Sequence, residues 1–364
     1  MKTYIRIIIA LAVIQNSNAQ ITDVDLSQFT LSNSSSPAFV LLEETPTAIY
    51  TPENFKALAI HALDNFGESL SVELTPYFLI NQQRKDRTYQ RYIGVYEDDD
   101  SGQLKQNPFS GLKTTTISLA YLDKEFSGLV GERKTYAIGA RTTLLRFYNK
   151  DKVNANTVGL STALSNFTIP NQVLQSGSEA IKAYFEEKKE AINATVAPYT
   201  KTIKPIFRLD VAAGYSTLFK ENTIDSGTAN RLGAWLTSET SLILNDGSDA
   251  ETNNYFNLFV TARYIEDGFN ANSSNEFFTT YYRDFGGKLD FEFGKFSVGY
   301  EYITRQGTVE SERSVGSIKF VINKDISISG GFGKDFSVNE NDNLLTIFGI
   351  HWGINTGNSN VQIN

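Results

Sequence analysis

Between Phe285 and Arg305 the side chains change character at almost every step. Phe285, Gly287, Leu289, Phe291 and Phe293 take one parity, and Lys288, Asp290 and Glu292 the other. After Gly294-Lys295 the alternation resumes, with Phe296, Val298, Tyr300 and Tyr302 against Ser297, Gly299 and Glu301. Successive strand residues point to opposite faces, so this stretch is a hairpin with one apolar face and one polar, charged face. The same pattern recurs roughly ten to twelve times between Leu70 and Trp352. Eleven strands read clearly. A bacterial barrel closes on an even number, so a twelfth is expected, with Thr88–Tyr96 as its candidate. No fixed period exists beyond the hairpin, which excludes a propeller or solenoid.

Alternation alone also fits a soluble β-sandwich, which buries its apolar face and wets the other. Three features favour a barrel facing lipid. The apolar face is uniform and rich in aromatic residues, as girdles at two bilayer interfaces require. The polar face carries many small residues, including Ala212, Gly214, Gly233, Gly299, Gly331 and Gly349, which suits the crowded inside of a modest barrel. Charges recur on that same face: Arg141, Arg208, Asp210, Arg231, Glu239, Arg263, Lys288, Asp290, Glu292, Glu301 and Lys319. A charge on the lipid face costs about 2–4 kcal/mol at the midplane, so these residues are expected to line the lumen. Their mixed signs predict ion-pair ladders across the lumen, a hydrated selectivity path, or both.

The chain's start reads as a secretory signal. Lys2 and Arg6 supply the positive end, Ile7–Ile14 the apolar run, and Ser17-Asn18-Ala19 a cleavage site, with cleavage expected after Ala19. The run is too short to span a bilayer, and no other segment approaches the ~20 apolar residues a spanning helix needs. The mean hydropathy of −0.25 does not conflict with a membrane barrel, whose lipid-facing and lumen-facing residues average out. With no cysteine, stability must come from packing or from closing a sheet on itself. A formal charge of −8 argues against nucleic acid as a partner.

Two regions break the strand pattern. Thr51 can cap a helix with Pro52 at its first position and Phe55, Leu58, Ala59, Ala62, Leu63 and Phe66 at helical spacing, ended by Gly67. This element is expected as a plug in the lumen or a cover at the mouth. Asn149 to Lys204 forms an insertion in which Ser176–Glu179 opens a helix carrying Ile181, Phe185 and Ile192 on one stripe. The expected organisation is a signal segment (1–19), a leader and helical element (20–67), a barrel (68–356) with its insertion (149–204), and a tail (357–364). The fold class is therefore all-β: a transmembrane antiparallel barrel of about 12 strands with a short N-terminal helical element and one helical insertion.

Signals for chemistry are sparse. The two histidines, His61 and His351, and the absence of a G-x-S-x-G motif make an outer-membrane lipid hydrolase a distant alternative. His351 shares its parity with the lumen residues and reads as a hydrogen-bonded wall histidine. No metal spacing of cysteine or histidine is present, and the acidic turn Asp246, Asp249 and Glu251 reads as hydrated. No catalytic residue, metal or cofactor is expected.

Ser36-Pro37-Ala38-Phe39, then Glu44-Thr45-Pro46 and Val72-Glu73-Leu74-Thr75-Pro76-Tyr77, is similar to the opening of a group of uncharacterised outer-membrane barrels of Bacteroidota and related bacteria. The resemblance extends loosely over the whole chain after the signal segment. It implies an outer-membrane barrel with an N-terminal helical element and carries no assigned activity. One departure is the tail from Thr356 to Asn364, which trails past Trp352 where many such barrels finish on an aromatic residue. The expected role is a passive channel for small polar solutes or a structural surface barrel in outer-membrane lipid. The alternative is a docking module for a periplasmic or surface protein, using the long segments Asn81–Ser110 and Asn149–Lys204.

Overall fold

The computed structural model describes residues 23–25, 36–43, 45, 49, 58–63, 68–79, 89–98, 100–125, 130–165, 169–196, 199, 203–244, 254–272, 274, 276–323, 326–336, 344–354 and 360–362. The signal segment and the acidic turn at 246–251 lie outside these residues.

Twelve strands form one closed antiparallel barrel. In chain order they are β1 (Leu58–Leu63), β2 (Ser69–Leu74), β3 (Thr116–Lys124), β4 (Arg133–Phe147), β5 (Phe207–Phe219) and β6 (Thr228–Ile243). The second half is β7 (Tyr255–Ala271), β8 (Phe277–Phe293), β9 (Phe296–Gly307), β10 (Ser311–Val321), β11 (Ile326–Lys334) and β12 (Leu344–Ile354). Every strand pairs with its chain neighbours, and β12 pairs with β1 to close the ring. Closure leaves the barrel's own sheet without an edge. The hairpin read at 285–305 is β8–β9. Phe293 faces Phe296 across a two-residue turn, where Gly294 adopts φ +59. That left-handed backbone suits glycine and matches the twist of the flanking strands.

The even strand count puts two kinds of connection at opposite ends. One mouth, the turn mouth, carries the links 64–68, 125–132, 220–227, 272–276, 308–310 and 335–343. The other, the insert mouth, carries the long links 75–115, 148–206 and 244–254, the short turns 294–295 and 322–325, and also the chain leading into β1 and out of β12. A short ribbon of Asp23–Asp25 paired with Asn360–Gln362 joins the two terminal segments.

Three expectations need correction. Residues 58–63 are strand β1, not the middle of a helix, and the rest of 51–67 lies outside the described residues. Leu58, Ala59, Ala62 and Leu63 satisfy helical spacing, but pairing with β2 and β12 supplies two hydrogen-bonded ladders that override local preference. The barrel accordingly begins at Leu58. Thr88–Tyr96 is not the twelfth strand: Tyr89–Ile93 is helical, and Val95–Glu97 pairs with Leu104–Gln106 in a separate hairpin that is no part of the barrel sheet. The N-terminal helical element is Pro37–Leu41. In the insertion, helices span Lys150–Ser165, Asn171–Gln175 and Ser178–Val196, and Ile181 and Phe185 share a small core with Ile169.

The outer wall is apolar through its middle. Leu232, Leu258, Val260, Leu289, Val298 and Ile318 are all exposed there. Tyr136, Tyr215, Tyr264, Tyr281, Tyr300 and Tyr302 stand on the turn-mouth side of it, and Phe147, Phe207, Phe256, Phe293, Phe296 and Phe320 on the insert-mouth side. The outward charges Asp123, Lys134, Glu266, Arg283, Glu312 and Lys334 lie near the turn-mouth ends of their strands. Tyrosine hydroxyls reach this rim: Tyr302 donates to Glu312 Oε2 at 2.7 Å and Tyr121 to Asp123 Oδ2 at 3.0 Å.

Candidate functional site: a charged lumen closed by the chain itself

Ser36 begins a single helical turn inside the barrel. Its Oγ accepts the Phe39 N–H at 3.3 Å, and Pro37 sits at the first position, where its missing donor costs nothing. All residues from Ser36 to Leu42 are buried. Ala38, Phe39 and Leu42 pack with Leu122, Leu218 and Phe269, while Val40 and Leu41 pack with Ala212 and Trp235. The small wall residues make the seat. A Cβ on Gly233 would come within 2.6 Å of Leu41 Cδ1, and one on Gly139 within 2.8 Å of Pro37 Cβ. Wall hydroxyls hold the entry: Ser118 Oγ accepts the Ala38 N–H at 3.2 Å, and Ser71 Oγ donates to Ser36 Oγ at 2.5 Å.

The segment turns at Glu43, which has φ +61, a backbone state that L side chains rarely adopt. Its carboxylate enters a group of three arginines. Arg305 Nη2 is 2.5 Å from Oε1, and Arg263 Nη2 and Arg231 Nη1 are each 3.9 Å from the carboxylate. Two wall carboxylates share the same guanidiniums. Asp284 binds Arg263 at 2.6 Å and Arg305 at 2.8 Å, and Asp267 binds Arg231 at 2.7 Å. Aromatic rings fix the guanidinium planes, with Arg305 3.7 Å from the Phe336 centroid and Arg231 4.7 Å from that of Phe269. Beyond the turn, Arg313 Nη2 donates to the Thr45 carbonyl at 3.1 Å, and the Ile49 N–H donates to Glu301 Oε2 at 2.8 Å. The segment is thus tied to the wall on both sides of its turn.

A second set of charges joins wall to wall. Arg141 pairs with Glu73, and Arg208 with Glu239 and, at 3.3 Å, Asp210. Asp210 also accepts from Thr143 Oγ1 at 2.6 Å. Lys288 Nζ lies 3.8 Å from Asp290, and Lys204, from the insertion, 2.6 Å from Glu292. At the insert mouth Arg146 Nε donates to Ser110 Oγ at 2.8 Å and Nη2 donates to the Tyr92 carbonyl, which pins the 89–114 region over that side.

The eleven charges picked from parity all sit on the inward face. Arg141, Arg208, Asp210, Arg231, Glu239, Arg263, Asp290 and Glu301 are buried; Lys288, Glu292 and Lys319 are half-buried, with Lys319 opposite Ser329 on the wall. The structure adds Glu73, Arg146, Asp267, Asp284, Arg305, Arg313 and Glu43. Asp284 and Arg305 share parity with neighbours already read, so extending the alternation would have found them. Arg146 is hidden by a register shift between Thr143 and Leu145, which turns the strand over. Glu43 belongs to no strand and carries no such signal.

The two histidines meet at the β1–β12 seam. His61 Nδ1 and His351 Nδ1 are 2.9 Å apart, and His351 Nε2 is 2.8 Å from Ser329 Oγ. Glu73 Oε2 lies 4.0 Å from His61 Nε2. The contact requires one ring to donate and the other to accept, so the rings act as a stitch between the first and last strands. Among the described residues, no three metal-ligating side chains gather.

No protein-family model matches the sequence, and none of the curated proteins does. Two solved structures overlap it loosely. The NanC porin is 8% identical, with a TM-score of 0.31 over 85% of this chain and 100% of that one. The transport unit of the autotransporter AIDA-I from Escherichia coli is 10% identical, with a TM-score of 0.29 over 89% of this chain and 96% of that one. The barrel is established by its own hydrogen-bonded strands.

Proposed function

We propose that the protein is an outer-membrane barrel working as a gated channel for small polar solutes, held shut at rest by residues 36–43 together with Thr45 and Ile49. The membrane part of this reading is supported by the apolar outer wall, bounded by tyrosines on one side and phenylalanines on the other, with its charges confined to a rim. The observation that carries the gate is the contrast inside: a charge-lined lumen whose space is taken by a segment of the same chain.

Magnitudes favour a gate over a permanent filling. Ordering residues 36–43 costs about 1–2 kcal/mol each in backbone entropy. Burying Phe39, Val40, Leu41 and Leu42 returns about 1.5–3 kcal/mol each. The two sums lie within a few kcal/mol of one another. The bonds at the tip, each worth about 1.5–3 kcal/mol where a charge is involved, then decide which state prevails. In planar bilayers the wild-type protein is expected to be mostly silent, and a variant lacking residues 36–49 to show stepwise currents. A deletion variant that still migrates as a heat-modifiable barrel yet passes no current would end the channel reading.

A second reading, docking of a partner protein, draws on the crowding of the insert mouth. The helical insertion, the 75–115 connection and both terminal segments all emerge there. Removing 150–196 should then abolish capture of the partner while leaving channel currents unchanged.

A further inference from the structure

We propose that Arg231, Arg263 and Arg305 form a receptor site for small carboxylate-bearing solutes, which Glu43 occupies at rest as a built-in stand-in. This rests on the gated-channel reading and names the solute class that the open lumen would favour. The first argument is charge. Three guanidiniums face two wall carboxylates, Asp267 and Asp284, and Glu43 supplies the third negative charge. Withdrawal of the segment removes that charge and leaves the three guanidiniums with one positive charge in excess of Asp267 and Asp284, facing the opened lumen. The neighbouring Arg313 keeps counter-charges of its own, Glu301 and Asp335 at 3.0 and 2.7 Å, whether or not Glu43 is present.

The second argument is geometry. Asp284 takes Arg263 and Arg305 through two oxygens, at 2.8 Å from each Nε, so both guanidiniums stay in place whether or not Glu43 is present. Phe336, Tyr282 and Phe269 hold their planes. Arg263 is buried, and its Nη1 finds no hydrogen-bond acceptor among the described residues; nor does Arg231 Nε. Fixed guanidinium forks with donors to spare match a carboxylate, which accepts at two oxygens in one plane. The turn residue brings such a group on a strained backbone, so a free solute carboxylate can replace it without that strain.

The test is the ion selectivity of Glu43→Gln in planar bilayers under a potassium chloride gradient. The expected result is more frequent opening, a reversal potential giving anions about a tenfold permeability advantage, and saturable slowing of the chloride current by added acetate. Adding Arg263→Gln to that variant should lower the preference and raise the acetate concentration needed. Currents that are unselective or favour cations, or acetate acting only through ionic strength, overturn this inference and leave the channel reading intact. If Glu43→Gln and the 36–49 deletion are both folded and both silent, the channel reading falls and this inference with it. Should Glu43→Gln fail to give a heat-modifiable barrel, Leu41→Ala loosens the segment with every charge in place, and its open state is judged by the same selectivity outcomes.

Discussion

The lumen holds two sets of buried ion pairs that differ in what they join. Arg141 with Glu73, and Arg208 with Asp210 and Glu239, connect one strand to another. Arg305, Arg263 and Arg231 share Glu43 with a segment that belongs to no strand. Breaking a pair of the first set leaves a buried charge inside a wall that cannot move away. Breaking one of the second set leaves the wall's own pairs at Asp284 and Asp267 standing, and only the segment is released. The same chemistry therefore serves the cylinder in one place and its closure in another.

Variants can break that distinction. The largest effect is expected for Arg141→Met, which strands Glu73 and should cost the barrel about 3–5 kcal/mol, read as unfolding in urea by loss of heat-modifiable migration. Arg141→Met combined with Glu73→Leu should recover most of this loss. If Glu43→Gln lowers barrel stability as much as Arg141→Met does, the two sets are not distinct. Next comes Leu41→Ala, which should weaken seating of the segment by about 2–5 kcal/mol while leaving the barrel's unfolding in place. Because the chain has no cysteine, Val40→Cys reports the release directly: thiol labelling is expected to be slow alone and fast when combined with Leu41→Ala. The smallest effect belongs to Gly233→Ala. Its new methyl would press on Leu41 Cδ1, the movable end of a side chain, so about 1–3 kcal/mol of strain should fall on the segment, seen as an intermediate labelling rate.

What could be read beforehand follows the reach of the physics. The outer wall was legible because a period of two is imposed at every residue by strand geometry, as Phe285 to Tyr302 show. The inward charges were legible for the same reason wherever parity ran unbroken. β1 was misread because Leu58, Ala59, Ala62 and Leu63 fit a helical stripe, and one of the two partners that make them a strand lies at the far end of the chain. The plug helix was misplaced because five residues are too few to display a period, and Phe39-Val40-Leu41-Leu42 is apolar without pattern. Glu43 gains its role only from three arginines on three different strands, an encounter that local spacing cannot encode.

The seam between β1 and β12 carries a consequence for how the molecule is made. His61 and His351 are 290 positions apart, so the ring cannot be sealed until almost the whole chain has been delivered. The segment that ends up inside lies a short way ahead of the first strand, and the wall that seats it is complete only once that seam has zipped. Sealing is thus the last topological event in building the wall, and a defect at the seam would cost the cylinder its closure and the stopper a complete seat.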